Sequence, residues 1–154
     1  MCDMNLFNKN IIEMNITAVD SEDVIKQLGN LLVQNKYIDK LYVDSVLERE
    51  KSFPTGLALS NAGIAIPHAS PGSSVLKNGI AAAHLSKPVK FYRMEDPDSQ
   101  VDVDMVFMLA LSSNEHLDIL KKLFVTFQNE ELVESLKNST NKDEFLAVLS
   151  NSLK

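Results

Sequence analysis

The sequence predicts an α/β fold, with one mixed β-sheet of about five strands flanked by helices on both faces. Short apolar segments typical of strands alternate along the chain with amphipathic segments typical of helices. Residues 105–111, MVFMLAL, are apolar at every position, as in a central strand covered on both sides. The length of 154 residues, without repeats or a linker, predicts a single domain over residues 1–154.

The first half of the chain predicts a strand, two helices and a second strand. Residues 11–16 alternate weakly and form the first strand. Asp20 or Ser21 can cap a helix that ends at residues 34–36, and a second helix spans residues 40–50. The apolar positions of the first helix are Val24, Ile25, Leu28, Leu31 and Leu32. Residues 52–56, SFPTG, then break the helix before a buried strand that ends at a proline.

The second half predicts the rest of the sheet and three helices. A charged loop at residues 93–100 separates two groups of strands. The predicted strands comprise residues 79–86, residues 89–91 after Lys87-Pro88, and residues 101–111. The predicted helices comprise residues 115–128, 130–137 and 142–150, the first capped by residues 112–114, SSN.

Charge and composition exclude several classes of protein. Acidic residues outnumber basic ones by 21 to 15, a net charge of -6, which argues against nonspecific nucleic-acid binding and favours a basic or neutral protein partner. The single cysteine, Cys2, provides no disulfide framework and no cysteine-based zinc signature. No signal peptide and no stretch of about 20 apolar residues is present, so we expect a cytoplasmic protein without direct membrane insertion.

His68 is the first candidate for chemistry. It follows the predicted strand end at Pro67, and Pro71 and Gly72 follow it closely. Proline stiffens the backbone, so the imidazole has little freedom to lose when it acts as a nucleophile. The alternative is a strand-capping histidine whose ring satisfies a nearby carbonyl.

Two further side chains are candidates, and one histidine is not. His116 lies in the first turn of a predicted helix, where free N–H groups favour anions and a neutral imidazole, although a histidine at such a position is more often a surface residue. Arg49, in the last turn of a helix, is either solvated or aims a guanidinium at phosphoryl oxygens. His84, among alanines in a strand, is interpreted as structural.

The familiar cofactor motifs do not occur. The three histidines lack zinc-ligand spacing on a common element. Neither GxxxxGK[ST], GxGxxG nor GxSxG is present, which removes the usual support for a nucleotide-binding kinase or a serine hydrolase. We therefore expect no metal and no cofactor.

Taken together, these residues resemble the enzyme IIA component of the bacterial sugar phosphotransferase system, of the mannitol and fructose type. The resemblance rests on Arg49-Glu50, residues 54–56 (PTG), residues 64–68 (IAIPH) and residues 114–116 (NEH), in that order. Residues 25–29 and 37–42 also fit, so it covers nearly the whole chain. Residue 69 is alanine where many relatives have glycine or threonine, and residues 53–57, FPTGL, resemble the galactitol branch more than the mannitol one.

The resemblance implies a role for each candidate. His68 would accept a phosphoryl group from the phosphohistidine of the carrier protein HPr, on the tele nitrogen, and pass it to a cysteine of enzyme IIB, which serves the membrane enzyme IIC. His116 corresponds to the second active-site histidine of the family and Arg49 to its arginine. The other ring nitrogen of His68 would donate to a fixed carbonyl, and the site would be a shallow patch rimmed by apolar residues.

Two other classes of function remain open. A regulatory phosphoacceptor domain would be modified on the same His68 but would control a partner protein without a role in transport. A purely structural interaction module would not be phosphorylated. Delivery of the phosphoryl group to an enzyme IIB distinguishes the first of these from a transport component.

Overall fold

The computed structural model describes residues 6–70, 74–112 and 116–152, without the side chains of His116 and Ser152. Within these residues a short 3-10 helix, Lys9–Ile11, precedes five strands and five α-helices. The strands are β1 Ile12–Ile16, β2 Gly56–Ala58, β3 Gly63–Ala65, β4 Gly79–Tyr92 and β5 Gln100–Ala110. The helices are α1 Ser21–Gln34, α2 Lys40–Ser52, α3 His116–Phe127, α4 Glu130–Lys137 and α5 Lys142–Ser152.

The five strands form one mixed sheet in the order β1-β4-β5-β3-β2. β1 is parallel to β4 and β3 is parallel to β5, whereas the β4–β5 and β2–β3 pairs are antiparallel. β5 therefore lies at the centre, as its apolar sequence predicts. The predicted single mixed sheet is confirmed.

Each face of the sheet carries its own apolar core. α1 and α2 cover one face through residues such as Leu28 and Val46, while α3, α4 and α5 cover the other. Along β5, Met105 and Phe107 join the second core and Val106 joins the first, so alternate side chains point to opposite faces. Both faces are buried, which is why the strand is continuously apolar.

The helix ends follow local signals. Asp20 caps α1, its side chain accepting a hydrogen bond from the Asp23 N–H at 2.9 Å, as predicted. Asp39 caps α2 in the same way, accepting from the Leu41 N–H at 2.8 Å. α2 extends through Ser52, two residues beyond the predicted end.

The strands differ from the prediction in two places. The predicted strands at residues 79–86 and 89–91 are one strand, β4, whose register with β5 shifts between His84 and Val89. Pro88 lies in that irregular stretch, where its missing N–H costs no regular ladder bond. β2 lies partly in the segment interpreted as a helix breaker, and its pairing with β3 was not predicted.

Candidate active site

His68 lies just beyond the end of β3, in a loop that continues along β5. The Leu109 N–H donates to the Pro67 carbonyl at 3.0 Å, so the backbone stays paired with β5 after the strand ends. On the other side, the Ile66 N–H reaches the Thr55 carbonyl at 3.4 Å. These contacts hold the backbone before His68 from two directions.

The imidazole has a defined tautomer. Nδ1 of His68 lies 2.8 Å from the Ile66 carbonyl oxygen. Because a carbonyl oxygen can only accept, Nδ1 carries the proton of the neutral ring and the lone pair resides on Nε2. The expectation that one nitrogen donates to a loop carbonyl is confirmed, and this contact also satisfies the strand-capping alternative.

His68 is more enclosed than the expected shallow patch implies. Only 7% of the residue is exposed. Ala69 and Ser70, the next two residues, line a surface groove of about 400 Å³. His68 itself does not line this groove, which instead provides the surface that adjoins the histidine.

Arg49 contributes to the same groove from the last turn of α2. Its guanidinium carbon lies 5.0 Å from the centroid of the Phe53 ring, which is 62% exposed. Its Nε is buried and has no hydrogen-bond partner among the described residues. The structure thus brings Arg49 to the loop that carries His68, since Ala69 and Ser70 line the same groove.

His116 is the first described residue of α3, in the first turn of the helix as predicted. Its side chain, and the predicted cap at residues 113 and 114, lie outside the described residues. Its position relative to His68 therefore remains a prediction. α3 follows β5 along the chain, and Leu109 of β5 bonds to the loop of His68. In sequence, His116 is therefore only seven residues from that contact.

Tyr42 is a residue of the site that the sequence interpretation missed. Its hydroxyl donates to the Leu109 carbonyl at 2.6 Å and accepts from the Ala69 N–H at 3.2 Å. Burial raises the pKa of Tyr42, so the phenol stays protonated and keeps this donor. A signal was present, since Tyr42 and Arg49 are seven residues apart on one helix and therefore share a face.

Residues 5–152 match the family described as "Phosphoenolpyruvate-dependent sugar phosphotransferase system, EIIA 2". The chain belongs to this family. It is therefore a phosphotransferase component, as the resemblance of its motifs implied.

The sequence and fold of this EIIA domain are similar to those of known proteins. The mannitol-specific enzyme IIA component of Halalkalibacterium halodurans is 36% identical over 140 residues, covering 90% of each chain. The mannitol-specific EIICBA component of Escherichia coli is 32% identical over 135 residues, which are 86% of this chain and 20% of that protein. The E. coli complex of enzyme IIA-mannitol with phosphorylated enzyme IIB-mannitol has a TM-score of 0.79 at 30% identity, covering 95% of this chain and 99% of that one.

The chain covers very different shares of these two relatives. The chain spans about one fifth of the length of the EIICBA relative but nine tenths of the separate IIA relative. Both relatives are named for mannitol, so the predicted galactitol branch gains no support. Among the described residues, no helix of this EIIA domain has the length and apolar character needed to cross a membrane.

A partly buried carboxyl group supports the β2 side of the loop that carries His68. Glu50 of α2 accepts hydrogen bonds from the Thr55 N–H at 2.9 Å and the Thr55 hydroxyl at 2.8 Å. Burial raises the pKa of Glu50 to about 7, against the lowering effect of these two bonds and of Arg49. Because Thr55 in turn binds the Ile66 N–H, Glu50 helps to hold the strand that leads to His68.

His84 lies away from the site. Its Nε2 donates to the Lys137 carbonyl at the end of α4 at 2.7 Å, and its ring meets the Phe145 ring at 6.1 Å in an edge-on arrangement. The structural interpretation of His84 agrees with these contacts. The described residues contain no group of three or more histidine, cysteine or acidic side chains that could hold a metal ion.

A larger groove lies elsewhere on the EIIA domain. It has a volume of about 720 Å³ and lies between the β2 region and the α3–α4 junction, lined by Leu57, Met94, Phe124 and Glu130 among others. None of the three predicted site residues lines it. The larger groove is therefore separate from the groove that Arg49 lines.

Proposed function

We propose that this chain, as one IIA domain over residues 1–154, carries a phosphoryl group on Nε2 of His68. The group comes from the phosphohistidine of HPr and goes to a cysteine of enzyme IIB, for uptake of a polyol through enzyme IIC. The observation that carries the proposal is the hydrogen bond from Nδ1 of His68 to the Ile66 carbonyl, because it places the nucleophilic lone pair on Nε2.

The transfer requires no added acid, base or metal. The Nε2 lone pair attacks phosphorus as the P–N bond to the HPr histidine breaks, and that ring leaves with its electron pair. The His68 ring gains positive character, which strengthens the hydrogen bond from Nδ1 to Ile66. In the second transfer a cysteine thiolate of enzyme IIB attacks phosphorus, and the electrons of the P–N bond return to Nε2.

Arg49 and His116 are proposed to bind the equatorial oxygens of the transferring group. Such a transition state is loose, so positioning and charge stabilisation supply most of the catalysis. The position of Arg49 in the groove beside Ala69 and Ser70 supports its assignment. Its buried Nε has no hydrogen-bond partner among the described residues. His116, at the start of α3, would donate to the phosphoryl group as a neutral imidazole.

The enclosure of His68 constrains its partners. Because only 7% of the residue is exposed, a partner must place its own reactive side chain directly against the edge of the imidazole. We propose that HPr and enzyme IIB dock in turn over the groove that contains Arg49, Phe53 and Ser70. This route places the chain in the cytoplasm, and its mannitol-specific relatives favour mannitol or a similar polyol as the sugar.

Labelling with radioactive phosphoenolpyruvate, enzyme I and HPr tests the acceptor. We expect one acid-labile, alkali-stable phosphohistidine, absent in His68→Ala. His84→Gln is the matched control, because this histidine contacts Lys137 and Phe145 and should not affect labelling. Label retained in His68→Ala would refute the assignment.

The second half of the cycle tests the route of the phosphoryl group. Labelled protein should lose its phosphate to enzyme IIB of a mannitol-type system. A labelled chain that transfers nothing to enzyme IIB, but changes its binding to another protein, would instead indicate a regulatory phosphoacceptor. His116→Ala should slow both transfers with the fold intact, and Arg49→Lys should do so because ammonium cannot copy the guanidinium fork.

A further inference from the structure

We infer that Tyr42 is a positioning residue that sets the location of the His68 imidazole by inserting its hydroxyl into the β3–β5 ladder. The inference rests on the proposed role of His68. The hydroxyl stands between the Ala69 N–H, 3.2 Å away, and the Leu109 carbonyl oxygen, 2.6 Å away.

The register of the sheet shows what the hydroxyl replaces. β3 runs parallel to β5 with Ala65 opposite Val106, so three residues later His68 comes opposite Leu109. In a parallel ladder, one residue bonds through its N–H and its carbonyl to the two residues that flank its partner. The first of these bonds is present, because the Leu109 N–H donates to Pro67.

The second bond is interrupted. A regular ladder would join the Ala69 N–H directly to the Leu109 carbonyl. In this structure the Tyr42 hydroxyl accepts from the first and donates to the second, so two hydrogen bonds in series stand where one would. The backbone therefore stays paired with β5 before His68 and is moved away from β5 after it.

This insertion decides where the imidazole lies. The backbone of a single residue, Leu109, holds Pro67 directly and Ala69 through Tyr42, so His68 is enclosed in one closed circuit of hydrogen bonds. Ala69 and Leu109 are buried, which means that water does not readily substitute for the hydroxyl. The same helix carries Arg49 two turns later, so α2 places both the loop and the cation.

Loss of the hydroxyl should therefore shift the position of the His68 imidazole, while the nucleophile itself stays in place in the sequence. In Tyr42→Phe the Ala69 N–H either donates directly to the Leu109 carbonyl or has no acceptor. Both outcomes shift the His68 imidazole. A displacement of about 1 Å at a reacting centre costs on the order of 100-fold in rate. We expect the maximal rate of transfer from phospho-HPr to fall roughly 10- to 100-fold, with little change in the HPr concentration for half-maximal rate.

The experiment compares wild type, Tyr42→Phe and Tyr37→Phe. Tyr37 is a second buried tyrosine, which packs against Lys77 and Gly79, so its variant controls for loss of a buried hydroxyl elsewhere. Rapid-quench measurements give the transfer rates, at a temperature where circular dichroism shows each protein folded. Nitrogen-15 shifts of the His68 imidazole, in the unphosphorylated proteins, report its tautomer and surroundings.

The expected result is a slow Tyr42→Phe with altered His68 shifts and a Tyr37→Phe close to wild type in both. A Tyr42→Phe protein within twofold of the wild-type rate, with wild-type His68 shifts, overturns the inference. If His68→Ala is still labelled, the proposed function fails, whereas the imidazole shifts still test Tyr42. If Tyr42→Phe does not fold, a slowly exchanging Tyr42 hydroxyl proton in contact with the Ala69 amide of wild type supports the inference, and its absence overturns it.

Discussion

Glu50 should make the stability of this EIIA domain depend on pH in a direction unusual for a carboxyl group. Its pKa is raised from 4.5 to about 7, chiefly by burial. Between these values the folded protein keeps a proton that the unfolded chain has released, so folding binds protons and stability falls as pH rises. Below pH 4.5 the stabilisation is fully present, and above about pH 7 it has been lost.

The size of the effect follows from that pKa. A tenfold change in proton affinity corresponds to about 1.4 kcal/mol, so a rise from 4.5 to about 7 corresponds to about 3 kcal/mol. Glu50→Gln removes the titration. The amide oxygen can still accept from the Thr55 N–H, and its amino group can donate to the Thr55 hydroxyl, so the fold should be retained.

Urea unfolding followed by circular dichroism, from pH 4 to pH 8, measures the effect. The free energy of unfolding of wild type minus that of Glu50→Gln should fall by about 3 kcal/mol across this range. Glu22 and Lys51 line the same cavity of about 250 Å³ and are present in both proteins. Glu48→Gln, at an exposed position on the same helix, is the matched control.

Parallel pH profiles for wild type and Glu50→Gln would refute the reasoning. They would mean that the hydrogen bonds from Thr55 offset the burial of the carboxylate completely. A difference that grows with pH, instead of falling, would show that Glu50 is stabilised as an anion in the folded protein.

Three further substitutions test the fold. Gly63→Ala should cost about 3 kcal/mol, because the new Cβ would lie 2.0 Å from the Asp102 carbonyl oxygen in the neighbouring strand, and an unchanged urea midpoint would contradict this close approach. Phe145→Ala should cost about 3 to 5 kcal/mol by leaving a cavity beside Phe107, whereas Phe145→Leu should recover much of that loss in thermal unfolding. Asp20→Ala should cost about 1 kcal/mol by removing the cap of α1, and an equal loss in Asp20→Asn, which still caps, would argue against that reason.

Much of the local structure could be predicted because its causes lie within a few residues. The caps and apolar spacing of α1 predict its start and end. The proline after Ile66 predicts a stiff loop at a strand end, and the imidazole does bind a carbonyl two residues away. The order of Arg49-Glu50, PTG, IAIPH and NEH likewise identifies the family, because motifs are properties of the chain itself.

Other features could not be predicted because they depend on residues far apart in sequence. β4 is one strand because β5 pairs with both of its halves across the irregular stretch that contains Pro88. β2 exists because Gly56 to Ala58 find β3 as a partner. Short segments with weak propensity take their conformation from such pairing.

The chain by itself determined most of the helices and strands, the family, and His68 as the candidate phosphoryl acceptor. Only the tertiary structure decided that His68 is nearly buried and that Tyr42 and Glu50 hold its loop from two sides. The physical reason is separation along the chain. Tyr42 lies 27 residues from Ala69 and 67 from Leu109, so its hydroxyl enters the ladder only when α2 packs on the sheet where β3 ends.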